Sequence, residues 1–347
     1  MALLDLLQGI KGDITDIINM DFELTNTQGD YVPSHEDPGL TFEPGRTKKA
    51  KTIETCVLYA DIRNSTMLSK THSRKEMAKL YTAFVKSALT IAEYHGGVIR
   101  NIIGDRVMVV FPQNDCFKNA VNTAISINTV STHIIAKLFP TLNFKCGIGI
   151  DYGEKLVVKA GIPKQDKERA NYKNLIWISD SANIASKLTD LANKEMVKTM
   201  FTVTYHPVNP KKFYYPDLLG SPWIPVSDLL GGSAAMKQNP NEPLYLTSQE
   251  TKDITAEEFV ERFDMLDGGS YFFSNGKLLR FKKYDKKITP SPILITEKVF
   301  DEYKKLDPSA DAFVKGWWKV QDVTIKEYSG KVYGCGLTWS TASSLAL

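Results

Sequence analysis

The sequence predicts an α+β fold of the ferredoxin-like (βαββαβ) kind, carrying an N-terminal helix and a small C-terminal extension. Three observations predict it. Strand-length apolar runs and apolar residues at helical spacing follow in the order strand, helix, strand, strand, helix, strand, with one strand more. Gly96-Gly97 closes the first of those helices, and Gly104-Asp105 sits between two apolar arms as a hairpin turn. At 347 residues the chain exceeds what a single compact core usually serves, so a second domain or substantial additions are expected.

Residues 1–20 interleave Leu3, Leu4, Leu7, Ile10, Ile14, Ile17 and Ile18 with Asp5, Lys11, Asp13 and Asp16, which is the pattern of an amphipathic helix. Residues 26–51, rich in Gly, Pro, Asp and Lys, read as an extended linker. A strand over 55–60 then delivers Asp61 to its end. Met77, Leu80, Tyr81, Phe84, Ala88 and Ile91 recur at helical spacing and lay one helix face on the sheet. Residues 98–103 and 106–111 are hairpin arms, and 116–138 form a second amphipathic stretch. Residues 144–150 and 156–162, joined by a turn at Asp151-Tyr152-Gly153, predict another hairpin. The polar residues 163–173 read as a loop and 174–178 as a short apolar strand. A helix capped by Ser179 or Asp180 follows, burying Ala182, Ala185, Leu188 and Leu191. Past Ser248 the character changes, and Tyr271-Phe272-Phe273, Asn275-Gly276 and Trp317-Trp318 suggest a separate, partly β module. The expected domains are 1–51 for helix and linker, 52–248 for the central domain, and 249–347 for the C-terminal module.

Apolar residues make up 43% of the chain and charged ones 24%, ordinary values for a folded protein and unlike a disordered one. The 43 basic and 40 acidic residues leave a formal charge of +3, too balanced for nucleic acid or an anionic membrane to be the main partner. Anion recognition has to be local. Cys56, Cys116, Cys146 and Cys335 stand apart without a CxxC pair, which fits reduced, buried thiols. No uncharged run reaches the roughly 20 residues needed to cross a bilayer, and no basic start precedes a cleavage site. A cytoplasmic location is therefore expected.

Asp61 ends one buried strand, and Asp105 interrupts a second apolar stretch at the hairpin turn, so both carboxylates fall at the rim of one sheet. Mg²⁺ and similar hard cations favour a few carboxylate oxygens completed by substrate phosphates, so this rim suggests a metal site for a nucleoside triphosphate. Taken singly, Asp61 equally suits a cap and Asp105 a turn.

Four motifs, in this order and spacing, resemble the class III nucleotidyl cyclases: Tyr59-Ala60-Asp61-Ile62-Arg63-Asn64-Ser65-Thr66, Gly104-Asp105, the run from Gly147 to Gly153, and the run from Asp180 to Leu188. The resemblance covers roughly residues 52–248. It implies that Asp61 and Asp105, grouped with Ile62 beside the first, hold two Mg²⁺ or Mn²⁺ ions per active site. It further implies that Asn183 orients the ribose, that Lys187 stands where the family has its transition-state arginine, and that Lys237 binds phosphate. Cyclisation is an in-line attack of the ribose 3′-hydroxyl on the α-phosphorus, with pyrophosphate leaving. Asn183 and Lys187, at i and i+4, would present a polar tip and a cation from one helical face to the charge that builds there. A lysine supplies that charge as a compact point rather than as a planar fork.

Where the family's purine cyclases carry a base-reading lysine and acid, this chain has Asn101 and Ile176. Asn101 both donates and accepts, as the Watson-Crick edge of uracil or cytosine requires. Tyr59 adds a hydroxyl to the phenylalanine common there and narrows the pocket toward a smaller base, although it equally suits a core aromatic. Arg100 is expected on the opposite strand face from Asn101. These departures resemble the pyrimidine cyclases of the bacterial Pycsar antiphage system. That resemblance implies a uridylate cyclase acting on UTP, with a cytidylate cyclase acting on CTP as the alternative. It also implies a homodimer with shared active sites and a cyclic product that acts on a separate effector protein. The N-terminal helix then suits packing against the partner chain. The rival readings are an adenylate cyclase with a relocated base pocket and a catalytically inactive, nucleotide-sensing cyclase domain.

Overall fold

The computed structural model describes residues 3–41, 47–161, 173–207, 213–214, 237–238, 249–266, 270–274 and 276–344. The chain divides into two units, one of Met1–Lys194 with Thr289–Leu347 and the other of Glu195–Ile288. The boundary expected at 248 therefore falls inside the second unit, and residues 289–347 return to the first instead of forming a module of their own.

In the first unit, α1 (Leu3–Asn19) has no buried residue. β1 (Phe22–Asn26) pairs in parallel with β2 (Lys48–Ile62). After the short α2 (Ser65–Thr71) comes α3 (Arg74–Tyr94), which opens with a reciprocal capping box between Ser73 and Glu76 and buries Met77, Leu80, Phe84 and Ala88. Gly96, at φ 72, ends it as expected. β3 (Val98–Ile103) and β4 (Arg106–Val110) form the expected hairpin, with Ile103 opposite Arg106. α4 (Cys116–Val130) continues through a π-helical turn over Ser131–Ile135 into α5 (Ala136–Leu138).

The order β5-β2-β4-β3, in which β5 is Cys146–Gly161 and pairing is antiparallel throughout, is that of a βαββαβ sheet. Helices α3 and α4 cover one face together with α8 (Glu297–Leu306), packing on Leu58, Ala60, Ile148 and Ile150. The other face, built on Val57, Met108, Val110 and Val157, is covered by Ala182 and Ala185 of α6 (Asp180–Leu191) and by Val32 and Leu40 of the linker.

The hairpin expected around Asp151-Tyr152-Gly153 is absent. Those residues lie within one continuous strand, β5 (Cys146–Gly161), which pairs with β2 from Cys146 opposite Ile62 to Val157 opposite Lys51. Asp151 is buried in the strand and accepts a 2.6 Å hydrogen bond from the Thr296 hydroxyl. At Gly149 a Cβ would collide with the Ala185 carbonyl, so this glycine serves the close approach of α6 rather than a turn. β6 (Lys173–Ile178) pairs with the far end of β5. Most of the loop expected at 163–173 lies outside the described residues.

β14 (Ile293–Thr296) explains the return of the C-terminal residues. Ile293, Leu294 and Ile295 are each fully buried, and an uninterrupted apolar run needs cover on both faces. It finds that cover by pairing in parallel with β5, Ile293 opposite Ile148, with β16 (Val332–Cys335) and then β15 (Lys319–Val320) beyond it.

The second unit is a five-stranded antiparallel sheet in the order β10-β7-β13-β12-β11. Its strands are β7 (Met196–His206), β10 (Glu250–Thr255), β11 (Phe263–Leu266), β12 (Ser270–Phe273) and β13 (Gly276–Ile288). Phe259 of α7 (Ala256–Arg262) stacks on Phe201 at 4.2 Å. A separate pair in this unit, β8 (Phe213–Tyr214) with β9 (Lys237–Gln238), contains the backbone of Lys237. The side chain of Lys237 lies outside the described residues.

All four cysteines are buried and free. Among the described residues no helix is long and apolar enough to cross a membrane.

Candidate active site

Asp61 is the penultimate residue of β2 and pairs across the sheet with Gly147, while Asp105 lies in the β3–β4 turn. Strand pairing between β2 and β4 brings the two together at one end of the sheet. Burial, and after it the charge of Asp61 and a hydrogen bond to Asp61, raise the Asp105 carboxyl to about 6. One of its oxygens, Oδ2, is buried with no hydrogen-bond partner among the described residues.

Two arginines engage Asp61. Arg106 donates to Asp61 Oδ2 from Nη2 at 2.8 Å and from Nε at 3.3 Å. The same guanidinium donates to Ser186 Oγ at 2.9 Å and to Asp190 Oδ1, both on α6. Burial works against its charge, but the bonds to Asp61 and Asp190 outweigh it and hold the Arg106 pKa above its ordinary value. Arg63, only 8% exposed, places Nη2 at 3.3 Å from Asp61 Oδ2 without hydrogen-bond alignment and donates from Nη1 to the Asp190 carbonyl at 3.2 Å.

A hard cation fits this donor set. Two carboxylates, one with an orphaned buried oxygen, offer the few anionic ligands that Mg²⁺ takes alongside phosphate oxygens and water. Among the described residues no cluster of three or more His, Cys, Asp or Glu side chains could enclose a metal by itself, so phosphates would have to complete the shell. A groove of about 980 Å³ between α3 and β3, lined by Tyr81, Val85, Leu89, Val98, Ile99 and Ile102, includes neither acid. The acid pair marks the chemistry, because the groove is mainly apolar and has a single carboxylate, Glu93, in its lining.

Residues 47–217 match the family described as the adenylate and guanylate cyclase catalytic domain. A uridylate cyclase of Burkholderia cepacia is 35% identical over 168 residues, covering 47% of this chain and 69% of that protein. The chain belongs to the class III nucleotidyl cyclases. A uridylate cyclase of Xanthomonas perforans is 31% identical over 193 residues, covering 53% of this cyclase and 78% of that protein. Among solved structures, the adenylyl cyclase CyaB from P. aeruginosa aligns with a TM-score of 0.41 at 13% identity, covering 82% of this chain and 94% of that one. Class III cyclases generally use divalent metals, in keeping with the acid pair.

The other residues singled out in the cyclase sequence fall in three places. Tyr59 and Asn101 both lie opposite Met108 of β4, so they share one row across the sheet on the face covered by α6. Burial raises the Tyr59 phenol. Asn101 reaches that row because the β3–β4 register shifts between Ile99 and Asn101, leaving Arg100 as an extra residue. Arg100 accordingly departs from simple alternation. Its Nη2 donates to the Val32 carbonyl at 2.9 Å, and Val32 belongs to the core on the Tyr59 face. Ile176, on β6, is 47% exposed and lies between Leu175 and Trp177, which turn into that core. Its side chain therefore faces the other way, outside the row of Tyr59 and Asn101. On α6, Asn183 is exposed, and Lys187 donates to Glu327 Oε2 at 3.1 Å and to the Lys326 carbonyl at 3.3 Å. Sequence reasoning missed Arg63, Arg106 and Asp190. The signal available for the arginines was their position, two residues and one residue after the two acids.

Proposed function

We propose that this cyclase converts UTP to 3′,5′-cyclic UMP and pyrophosphate at two sites shared across a head-to-tail homodimer. The observation that carries the proposal is the acid pair, Asp61 with Asp105, whose orphaned buried oxygen calls for a cation beside a triphosphate. UTP is favoured over CTP by relatives that are themselves named uridylate cyclases, and a pyrimidine by Tyr59 and Asn101 sharing one row. Asp61 and Asp105, with the Ile62 backbone beside them, would hold two Mg²⁺ or Mn²⁺ ions, which supply activation of the 3′-hydroxyl and neutralisation of the leaving pyrophosphate.

In this reading Asn183 orients the ribose and Lys187 meets the charge on the phosphoryl oxygens. Asn101 reads the base edge and Tyr59 limits its size, while Ile176, on the opposite strand face, takes no part. Sharing between subunits is supported by the contacts within one chain, where Lys187 is tied to Glu327 and Asp61 to the two arginines. The enzyme would work in the cytoplasm as a second-messenger synthase in antiphage defence, its product acting on a separate effector protein.

Purified protein incubated with each of the four nucleoside triphosphates and Mn²⁺, with products separated by chromatography, tests this. Cyclic UMP should form at least about tenfold faster than any other cyclic product. Cyclic CMP as the main product would move the base assignment, cyclic AMP alone would make this a purine cyclase, and binding without turnover would make it a sensor.

A further inference from the structure

Asp61 presents an asymmetry. Among the described residues, every arginine contact it makes falls on one oxygen, Oδ2, from Arg106 Nη2, Arg106 Nε and Arg63 Nη2. Arg106 in turn is not free to swing, because Ser186 and Asp190 hold it from α6. We propose that Arg106 is a positioning residue, which fixes Asp61 through Oδ2 so that the other oxygen is presented to a divalent cation shared with Asp105. The proposal rests on the reading of Asp61 and Asp105 as metal ligands and adds to it the group that aims them.

A guanidinium beside a metal site raises an obvious objection, since its positive charge repels the ion. Asp190 answers it. Its carboxylate pairs with Arg106 through Nη2, the nitrogen that also reaches Asp61 Oδ2, so the guanidinium is largely neutralised by an acid that is itself half exposed, at 54%. The negative charge of Asp61 is thereby left for the cation, while the planar fork still fixes the direction of the carboxylate. Ser186 sets the plane of that fork with a fourth bond.

The same contacts have a second effect. Ser186 and Asp190 occupy i and i+4 on α6, the row next to Asn183 and Lys187 on the same helix. One side chain therefore fixes both the direction of Asp61 and the rotation of the helix that carries the polar tip and the cation. Lysine in place of Arg106 would keep the charge and lose the fork, so it should recover part of the effect and no more.

The test is Mn²⁺ binding, followed by electron paramagnetic resonance on protein saturated with 3′-deoxy-UTP, which lacks the attacking hydroxyl. Arg106→Ala should weaken Mn²⁺ binding by roughly tenfold or more, the usual cost of losing a group that orients a metal ligand. Arg106→Lys should fall between that variant and the parent. Asp190→Asn, which leaves Asp61 alone to balance the Arg106 charge, should also weaken binding. In turnover, the Mn²⁺ concentration for half-maximal rate should rise, while KM for UTP at saturating Mn²⁺ stays within about twofold. Arg106→Ala binding Mn²⁺ as tightly as the parent, or more tightly, would overturn the proposal. Asp61→Asn is the control: if it too leaves Mn²⁺ binding unchanged, the metal reading fails as well, whereas a loss confined to Asp61→Asn sinks only the role of Arg106. Thermal melting of each variant separates a lost contact from a lost fold, and if Arg106→Ala does not fold, Arg106→Lys and Asp190→Asn carry the comparison.

Discussion

The rim that holds Asp61 and Asp105 and the flank of α6 that holds Asn183 and Lys187 are built by opposite means. At the rim, side chains that are 8% to 27% exposed interlock through two guanidinium groups. On the flank, Asn183 is exposed, and Lys187, at 39%, is tied to Glu327, at 69%. Buried charge-assisted bonds fix geometry, whereas exposed ion pairs are screened and contribute about 0–1 kcal/mol. The difference teaches that the acid rim is shaped in advance within one chain while the α6 flank is left adjustable, which is what the proposed sharing of sites between subunits would require of it.

The largest effect should come from the rim. Asp105→Asn removes the charge of the orphaned oxygen, and cyclic nucleotide formation should fall by at least about a thousandfold with the thermal melt intact. A loss of less than tenfold would break the contrast. Next in size is a stability effect at the buried Asp151, whose carboxyl burial raises to about 6 from 3.8. A carboxyl with a raised folded pKa contributes most below its unfolded value, and that contribution is lost as pH rises through the folded one. Relative to the parent, Asp151→Asn should therefore gain on the order of 3 kcal/mol as pH rises from about 4 to 7, whatever offset the altered bond from Thr296 sets at pH 4. Chemical denaturation at the two pH values would check this, and parallel curves would refute it.

On the α6 flank, Lys187→Ala should slow turnover roughly a hundredfold. Mixed in equal amounts with Asp61→Ala, it should recover about a quarter of the parent rate, because half of the dimers would each carry one intact site. No recovery would remove the shared-site reading. The smallest effect belongs to Glu327→Gln, expected to change the rate less than about threefold, since the pair it breaks is exposed. A larger change would show that residues near 327 govern Lys187 more firmly than exposure suggests.

What the sequence disclosed follows the range of the forces involved. Periodicity and stop signals are local, so the βαββαβ order, the helix closed at Gly96 and the turn at Gly104 were legible. Asp151-Tyr152-Gly153 has turn composition, yet β2 runs on alongside and keeps those residues extended, and partner length cannot be seen in a single strand. A shift of register hid the face of Asn101, because one extra residue reverses alternation. The return of β14 was concealed by the 94 residues of the second unit, although three adjacent apolar residues at 293–295 already indicated an interior strand. At the site, the two acids were readable from their places at a strand end and a turn. The grip of Arg106 was not, since it depends on α6, 80 residues and more along the chain.

The late pairing of β14 also sets a timetable for synthesis. On a ribosome adding about 5–20 residues per second, β5 emerges several seconds or more before Ile293 is made. Until then the Ile148–Ile150 edge has no neighbour on that side. An unpaired apolar edge is a template for the wrong strand. A nascent chain halted near residue 248 would therefore carry both acids and still be prone to aggregate, so completion of the sheet waits on the synthesis of Ile293 and the strand that follows from it.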